Sequence, residues 1–155
     1  RLLERGVRFV QVAQNGWDLH GDIARRAKRN ADQLDPAIGA LMDDLKDRGM
    51  FEDTLIYITS EFGRSPTEDG GGGRSHNARG LSTVLAGGGI KGGMAYGATD
   101  ELGYYAAEDK VSMYDFHATL LHLLGLDHEH LTYRHAGRDF RLTDVHGNVI
   151  KKILT

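Results

Sequence analysis

The stretch from residue 54 to residue 77 constrains the fold of this chain more than any other. It opens with an uninterrupted apolar and β-branched run, Leu55 to Thr59, which is typical of a strand buried on both faces of a parallel sheet. A charged residue, Glu61, follows the end of the run, and four glycines at positions 70–73 then lead to His76. Sites in open α/β sheets form outside the carboxyl ends of the strands. Glu61 and His76 are therefore the first candidates for chemistry.

Composition limits the class of protein. The chain has 155 residues, which is enough for one domain with a real core. Its net charge of −3 argues against nucleic acid or an anionic membrane as a partner. No apolar run approaches the roughly 20 residues of a membrane span. The absence of cysteine excludes disulfides and thiolate metal sites.

Apolar periodicity and capping residues predict the other elements. The predicted strands are Val7–Ala13, Leu55–Thr59 and Leu81–Ala86, with an edge strand at Val149-Ile150. The predicted helices are 24–48, with a turn near Pro36 that makes Asp35 an N-cap, and 112–125, capped by Ser112 and ended by Gly125. Residues 134–147 are expected to form an arm over the sheet. The order of strand, helix and strand predicts a single α/β domain with a mostly parallel sheet.

Two more ligand-type residues, Asp18 and His20, follow the first predicted strand. Their i, i+2 spacing places both side chains on one side of an extended backbone. A carboxylate beside an imidazole forms half of a metal site, and the alternative is an Asx turn with a solvated histidine. Because the ends of parallel strands converge on one edge, we expect Asp18, His20 and His76 to meet as three ligands.

This ligand set favours a divalent metal. Carboxylate and imidazole groups without cysteine suit zinc, manganese or iron. Three protein ligands leave one position open, as catalytic zinc requires. Such a metal lowers the pKa of a bound water or polarises a phosphoryl or sulfuryl oxygen. Arg64 and Arg74 are candidate clamps for a tetrahedral oxyanion. The site fails if its three ligands lie more than about 8 Å apart.

Several motifs resemble the alkaline phosphatase and sulfatase superfamily. TLIYITSEFGR is similar to the superfamily strand that ends in Thr-Ser-Asp-His-Gly, and the segment Val111 to Gly125, which contains DFHATLLHLLG, resembles a helix of sulfatases. In the order found in a poorly characterised bacterial family of that superfamily, the chain also carries GWDLHG, GGRSHN, LAGGGIKGG, GATDELG and LTYRHAGRDFRLTDVHG. The resemblance implies a three-layer αβα fold around a mostly parallel sheet, of which residues 1–155 are a C-terminal part.

The same resemblance implies a metal-dependent hydrolase of sulfate or phosphate esters. It assigns Asp18, His20 and His76 to a first metal site and Glu61 to a second. Zinc is the metal implied first, with manganese or calcium as alternatives. The implied partner is a small anionic ester or a sulfated glycan, and the implied location is the periplasm or outside a bacterial cell. A homodimer is expected, because a truncated sheet exposes an edge and an apolar face.

The chain departs from the superfamily pattern at several positions. Phe62 stands where the family has a ligand histidine, and phenylalanine cannot bind a metal. Ser75 replaces the aspartate that precedes the late histidine. The superfamily nucleophile belongs to an earlier strand, which would precede Arg1, so we expect this stretch alone not to turn over substrate. These departures leave two alternatives, namely a non-catalytic metal- or anion-binding module and a structural domain with incidental histidines.

Overall fold

The computed structural model describes residues 1–155 as two α-helices and four small antiparallel sheets. The helices are α1 (Ile23–Asp47) and α2 (Met113–Leu123). The strands are β1 (Leu55–Ile58), β2 (Gly63–Asp69), β3 (Gly73–Asn77), β4 (Val84–Gly87), β5 (Ala98–Thr99), β6 (Ala106–Glu108), β7 (Thr132–His135) and β8 (Arg138–Arg141). Short 3₁₀ helices occur at Leu3–Arg5, Phe51–Asp53 and Lys151–Ile153. Neither α-helix combines the length and the apolarity needed to cross a membrane.

The predicted three-layer αβα fold with a parallel sheet is wrong. Every sheet has two strands, paired as β1–β4, β2–β3, β5–β6 and β7–β8, and every pairing is antiparallel. β1 is half-buried rather than covered on both faces, and Tyr57 within it is 38% exposed. A short apolar run indicates that a segment prefers a strand, but it carries no information about the direction of the neighbouring strand.

The first predicted strand is also wrong. Residues 7–13 form no strand or helix, and Phe9 and Val12 are 80% and 87% exposed. Strand propensity reflects how well side chains fit beside a neighbouring strand, and these residues have no such neighbour. The chain reaches Asp18 without entering a sheet.

The predicted turn in the first helix is absent. α1 runs without interruption through Pro36, so Asp35 is a helical residue and not an N-cap. Proline removes the hydrogen bond that its amide would donate to the carbonyl four residues earlier, that of Asp32. Asp32 is exposed, so water can satisfy that carbonyl. On the opposite side Leu45 is buried, in agreement with the amphipathic pattern.

The second helix matches its prediction closely. The hydroxyl of Ser112 accepts a hydrogen bond from the amide of Asp115 at 3.1 Å. The Asp115 carboxylate accepts in return from the amide of Ser112 at 3.2 Å, which completes a capping box. Gly125 follows the helix with a φ of 74°, a left-handed conformation that glycine adopts freely.

The core is small and centres on α2. Only 11 of the 155 residues are buried, and Phe116, Ala118 and Leu121 of α2 are among them. The C-terminal segment packs on the same helix, because the amide of Ile150 donates to the hydroxyl of Thr119 at 2.9 Å. The predicted edge strand at Val149-Ile150 is therefore wrong, since this amide is already used by a side chain.

The remaining segments form hairpins on the surface. Residues 134–147, predicted to be an arm over a sheet, contribute to the β7–β8 hairpin instead, whose residues are almost all exposed. The predicted strand at 81–86 is β4, which begins at Val84 and pairs with β1. The β2–β3 hairpin carries Arg64, Asp69 and His76 of the candidate site.

Candidate metal centre

Backbone hydrogen bonds fasten residues 18–22 to the β2–β3 hairpin. The amide of Arg74, in β3, donates to the carbonyl of Leu19 at 3.0 Å. The amides of residues 22 and 23 donate to carbonyls of the glycine turn at 2.9 and 3.1 Å. Leu19 is 3% exposed. Because alternate side chains of an extended segment point to opposite sides, Asp18 and His20 lie together on the solvent-facing side.

Gly73 permits this close approach of the two backbones. A Cβ atom at residue 73 would lie 2.0 Å from the carbonyl carbon of His20 and 2.4 Å from the amide nitrogen of Gly21. Both of these atoms belong to the backbone, so no side-chain rotation can relieve the overlap. Glycine at the start of β3 is therefore required for residues 18–22 to reach the hairpin.

Three ligand-type atoms converge where the two segments meet. His76 Nε2 lies 2.9 Å from Asp18 Oδ1, and His20 Nε2 lies 3.0 Å from the same oxygen. The two Nε2 atoms are 3.2 Å apart. All three residues are exposed, and one ligand atom from each falls within 4.8 Å of the others. The separation stays well within the 8 Å at which the site was expected to fail.

These distances fit the donor set of a tetrahedral metal. Zinc–nitrogen and zinc–oxygen bonds of about 2.0–2.1 Å place two ligand atoms of a regular tetrahedron about 3.3 Å apart. The three separations here are 2.9, 3.0 and 3.2 Å. Separations of this length are hydrogen bonds when a histidine carries a proton on Nε2. The three atoms need to move apart by only a few tenths of an ångström to bind a metal between them.

A carboxylate orients one of the two histidines. Asp69 Oδ2 lies 2.7 Å from Nδ1 of His20, so Nδ1 donates to the carboxylate and Nε2 faces the other ligands. This hydrogen bond lowers the pKa of Asp69 and raises the pKa of His20. The same arrangement of carboxylate, histidine and metal fixes ligand orientation in known zinc sites.

Two donors keep Asp18 ionised. The hydrogen bond from His76 and, next in size, the one from Arg64 lower the pKa of Asp18 from 3.8 to about 2. Arg64 Nη1 lies 2.8 Å from Asp18 Oδ1. Asp18 is therefore a carboxylate at neutral pH, the form that binds a cation.

Phe62 supports the cluster without being able to bind a metal. Its ring lies against the imidazole of His76, with centroids 4.3 Å apart and planes inclined by 37°. The guanidinium of Arg64 lies 5.6 Å from the centre of the same ring. Phe62 thus restricts the motion of both His76 and Arg64 through contact and a cation–π interaction.

Two of the residues predicted from the sequence lie outside the cluster. Glu61 is exposed in the bend between β1 and β2, where its side chain makes no hydrogen bond or ion pair. Arg74 donates through Nη1 to the carbonyl of Gly73 at 2.7 Å rather than to a residue of the cluster. The structure therefore favours Arg64 over Arg74 as an oxyanion clamp.

The sequence analysis missed Asp69. This residue stands next to the glycine run, and an Asp-Gly step followed by glycines is a known signal for a hairpin turn. Pairing residues 63–69 with 73–77 would have placed Asp69 opposite Gly73 and therefore beside His20. The signal was present, but the glycines were interpreted as a loop at a strand end.

The fold and the cluster together define a chain of helices and antiparallel hairpins with a candidate site for one divalent metal. A family model described as "Protein of unknown function (DUF1501)" matches residues 1–154, and the chain belongs to this family. No curated protein and no solved structure matches the chain significantly. The family match agrees with the resemblance to an uncharacterised domain family and does not extend to alkaline phosphatases or sulfatases.

Proposed function

We propose that this chain is part of a metal-dependent hydrolase of sulfate or phosphate esters, and that this hydrolase is related to the alkaline phosphatase and sulfatase superfamily. The observation that carries the proposal is the convergence of Asp18, His20 and His76 with a cation, Arg64, on the carboxylate of Asp18. The motifs that resemble those of the superfamily support the reaction class. By the same resemblance, we expect a periplasmic or exported protein.

The residues of the cluster suit a divalent metal, with zinc preferred and manganese or calcium as alternatives. Two imidazoles and one carboxylate are typical zinc ligands and are less suited to calcium, which prefers oxygen. A bound metal of this kind supplies Lewis-acid polarisation of a phosphoryl or sulfuryl oxygen. Asp69 keeps His20 in the orientation and tautomer that binding needs.

Arg64 is the residue best placed to bind the ester anion. One of its amino groups is held by Asp18, and its remaining N–H donors can contact the non-bridging oxygens of a phosphate or sulfate. Hydrolysis forms a bond from the phosphorus or sulfur to the oxygen of water and breaks the bond to the ester oxygen. The alcohol then leaves with a proton that water provides.

A second candidate function is a non-catalytic metal- or anion-binding module. The position of Phe62 favours it, because the residue that would be a ligand in a two-metal enzyme packs against His76 instead. Glu61, assigned to the second metal by resemblance, lies outside the cluster. One metal without a second would bind an anion but would lack the paired clamp of a two-metal hydrolase.

Because this stretch alone is not expected to turn over substrate, the test uses a longer protein that includes the expected upstream strand. Hydrolysis of 4-nitrophenyl phosphate and 4-nitrophenyl sulfate by that protein, loaded with zinc or manganese, tests the proposal. We expect Asp18→Asn to abolish both metal binding and turnover. Arg64→Gln should keep the metal and lower kcat/KM by about 100-fold, the size typical of losing one group that stabilises developing charge. Arg138→Gln, in the β7–β8 hairpin, is the matched control and should change neither. Metal binding without turnover of either ester would favour the binding module.

A further inference from the structure

A cavity of about 280 Å³ lies beside the candidate metal centre. It is lined by His76, Asn77, Ala78, Arg79 and Tyr104. His76 contributes its Nε2 to the cluster and also forms part of the cavity wall. A ligand that fills the cavity therefore touches a residue of the metal centre. The volume is near the low end for small-molecule sites, so it suits one small group rather than an extended chain.

Partly buried hydrogen bonds of Asn77 hold the walls of this cavity in place. Asn77 is 8% exposed, and its Nδ2 donates to the carbonyl of Tyr104 at 2.8 Å. Its Oδ1 accepts from the amide of Arg79 at 3.1 Å. The carbonyl of Arg79 in turn accepts from the amide of Ala106 at 2.9 Å. One buried side chain thus fixes the two segments that carry Arg79 and Tyr104, and the cavity is formed in advance of binding.

Arg79 gives the cavity a positive charge that no carboxylate neutralises. Its Nη1 donates to the hydroxyl of Tyr105 at 2.6 Å, and its guanidinium lies 5.1 Å from the centre of the Tyr105 ring. Arg79 forms no ion pair, and no acidic residue lines the cavity. A guanidinium has five N–H donors and only one is used here, so the others can bind an anion.

We propose that the cavity binds a second anionic group, a carboxylate or a sulfate, on the alcohol half of the ester. The inference rests on the proposed hydrolase function, and it narrows the substrate class to monoesters that carry a further negative charge. Arg64 contacts the reacting phosphate or sulfate beside the metal ligand His76, while Arg79 contacts the second group. Tyr105 holds the guanidinium of Arg79 and acts as a positioning residue.

Two phosphonates that differ only in this second charge test the proposal. Phenylphosphonate and 4-phosphonobenzoate share a carbon–phosphorus bond that is not hydrolysed, so calorimetry on the zinc-loaded chain reports binding alone. We expect 4-phosphonobenzoate to bind about tenfold more tightly, as one additional charge-assisted contact would provide. Arg79→Gln should remove this preference and leave the Kd of phenylphosphonate and the zinc content unchanged. Tyr105→Phe should reduce the preference in part.

A matched control comes from a second stacked arginine. Arg138 lies 4.7 Å from the centre of the Phe140 ring, outside the site, and Arg138→Gln should keep the full preference. Equal affinity for the two phosphonates, or a preference that survives Arg79→Gln, would overturn the assignment of the cavity while the hydrolase proposal stands. Failure of the zinc-loaded chain to bind phenylphosphonate would overturn both.

Discussion

The metal cluster and helix α2 are built in opposite ways. The cluster consists of exposed polar side chains on two segments that backbone hydrogen bonds join, and Gly73 lets these distant segments meet. α2 has a local capping box at its start and buried side chains along one face, including Phe116 and Leu121. The cluster brings together residues 58 positions apart, whereas the cap of α2 joins residues three positions apart.

This difference shows where stability and function lie in the chain. Exposed charged groups contribute little to the free energy of folding, because water screens them and ordering them costs entropy. Buried apolar side chains and satisfied caps contribute more. We therefore expect substitutions at the cluster to change metal binding more than stability, and substitutions around α2 to do the reverse. The predictions below test that separation.

Gly73→Ala should have the largest effect, and it should lower both stability and zinc binding. The new methyl group would overlap the backbone of residues 20 and 21, so the two segments must move apart. Overpacking of this kind costs about 1–3 kcal/mol, and we expect a loss of stability in that range and loss of zinc binding. Gly70→Ala is the matched control, because a Cβ there meets no atom within 4 Å. Thermal unfolding and zinc titration of both variants measure the difference.

Asp69→Asn should weaken the metal centre without unfolding the chain. The amide can still accept a hydrogen bond from His20, but it no longer carries the negative charge that raises the pKa of the imidazole. Loss of such a supporting carboxylate typically lowers metal affinity by about 10- to 100-fold. Zinc competition titration measures the change. Asp32→Asn, an exposed carboxylate paired with Lys28, should keep the original affinity.

Asp115→Asn should lower stability and leave zinc affinity unchanged. Hydrogen bonds from Ser112 lower the pKa of Asp115, and those from Asn148 add to the shift. Because the folded state holds this pKa below the unfolded value, the carboxylate stabilises the fold above about pH 4 and the contribution is lost as pH falls through the folded pKa. Loss of a helix cap costs about 1 kcal/mol. The difference in unfolding free energy between the two proteins should therefore shrink towards acid pH.

A constant difference between the two proteins from pH 7 to pH 3 would contradict this account of the cap. It would mean that the shape of the Asp115 side chain matters and its charge does not. Ser112→Ala tests the same cap independently, because it removes the hydroxyl that accepts a hydrogen bond from the Asp115 amide.

Glu61→Gln should have the smallest effect of all. The residue is exposed, and it lies outside the group of ligand atoms that converge on Asp18. We expect zinc stoichiometry, zinc affinity and thermal stability to match those of the unmodified protein. If this substitution removed one bound metal, it would support the second metal site that the resemblance implied for Glu61.

Local signals in the sequence predicted α2 well. The signals are the spacing of Ser112 and Asp115, the apolar face of the helix, and Gly125 after its end. Each of them acts on residues that lie within one or two helical turns. Local signals were misleading at Pro36, where the predicted turn was wrong. A local rule predicted a break at Pro36, but the helix continues, and the carbonyl that loses its hydrogen bond belongs to an exposed residue, Asp32.

Long-range pairing was the part that the sequence did not reveal. The apolar run at β1 predicted a strand correctly and its parallel neighbours wrongly, because the partner, β4, lies about 30 positions away and runs antiparallel. Asp18, His20 and His76 were selected by residue type and by their positions after apolar runs, and they do come together. Asp69 was missed because its place beside His20 depends on the register of a hairpin.

The most direct test of the account is zinc binding by the purified chain, measured by calorimetry and elemental analysis, with His76→Ala and His122→Ala compared. His122 is an exposed histidine on α2, outside the cluster. We predict one zinc per chain in the unmodified protein and in His122→Ala, and none in His76→Ala. Absence of zinc from the unmodified protein, or equal zinc in all three, would show that the cluster of Asp18, His20 and His76 is not a metal centre.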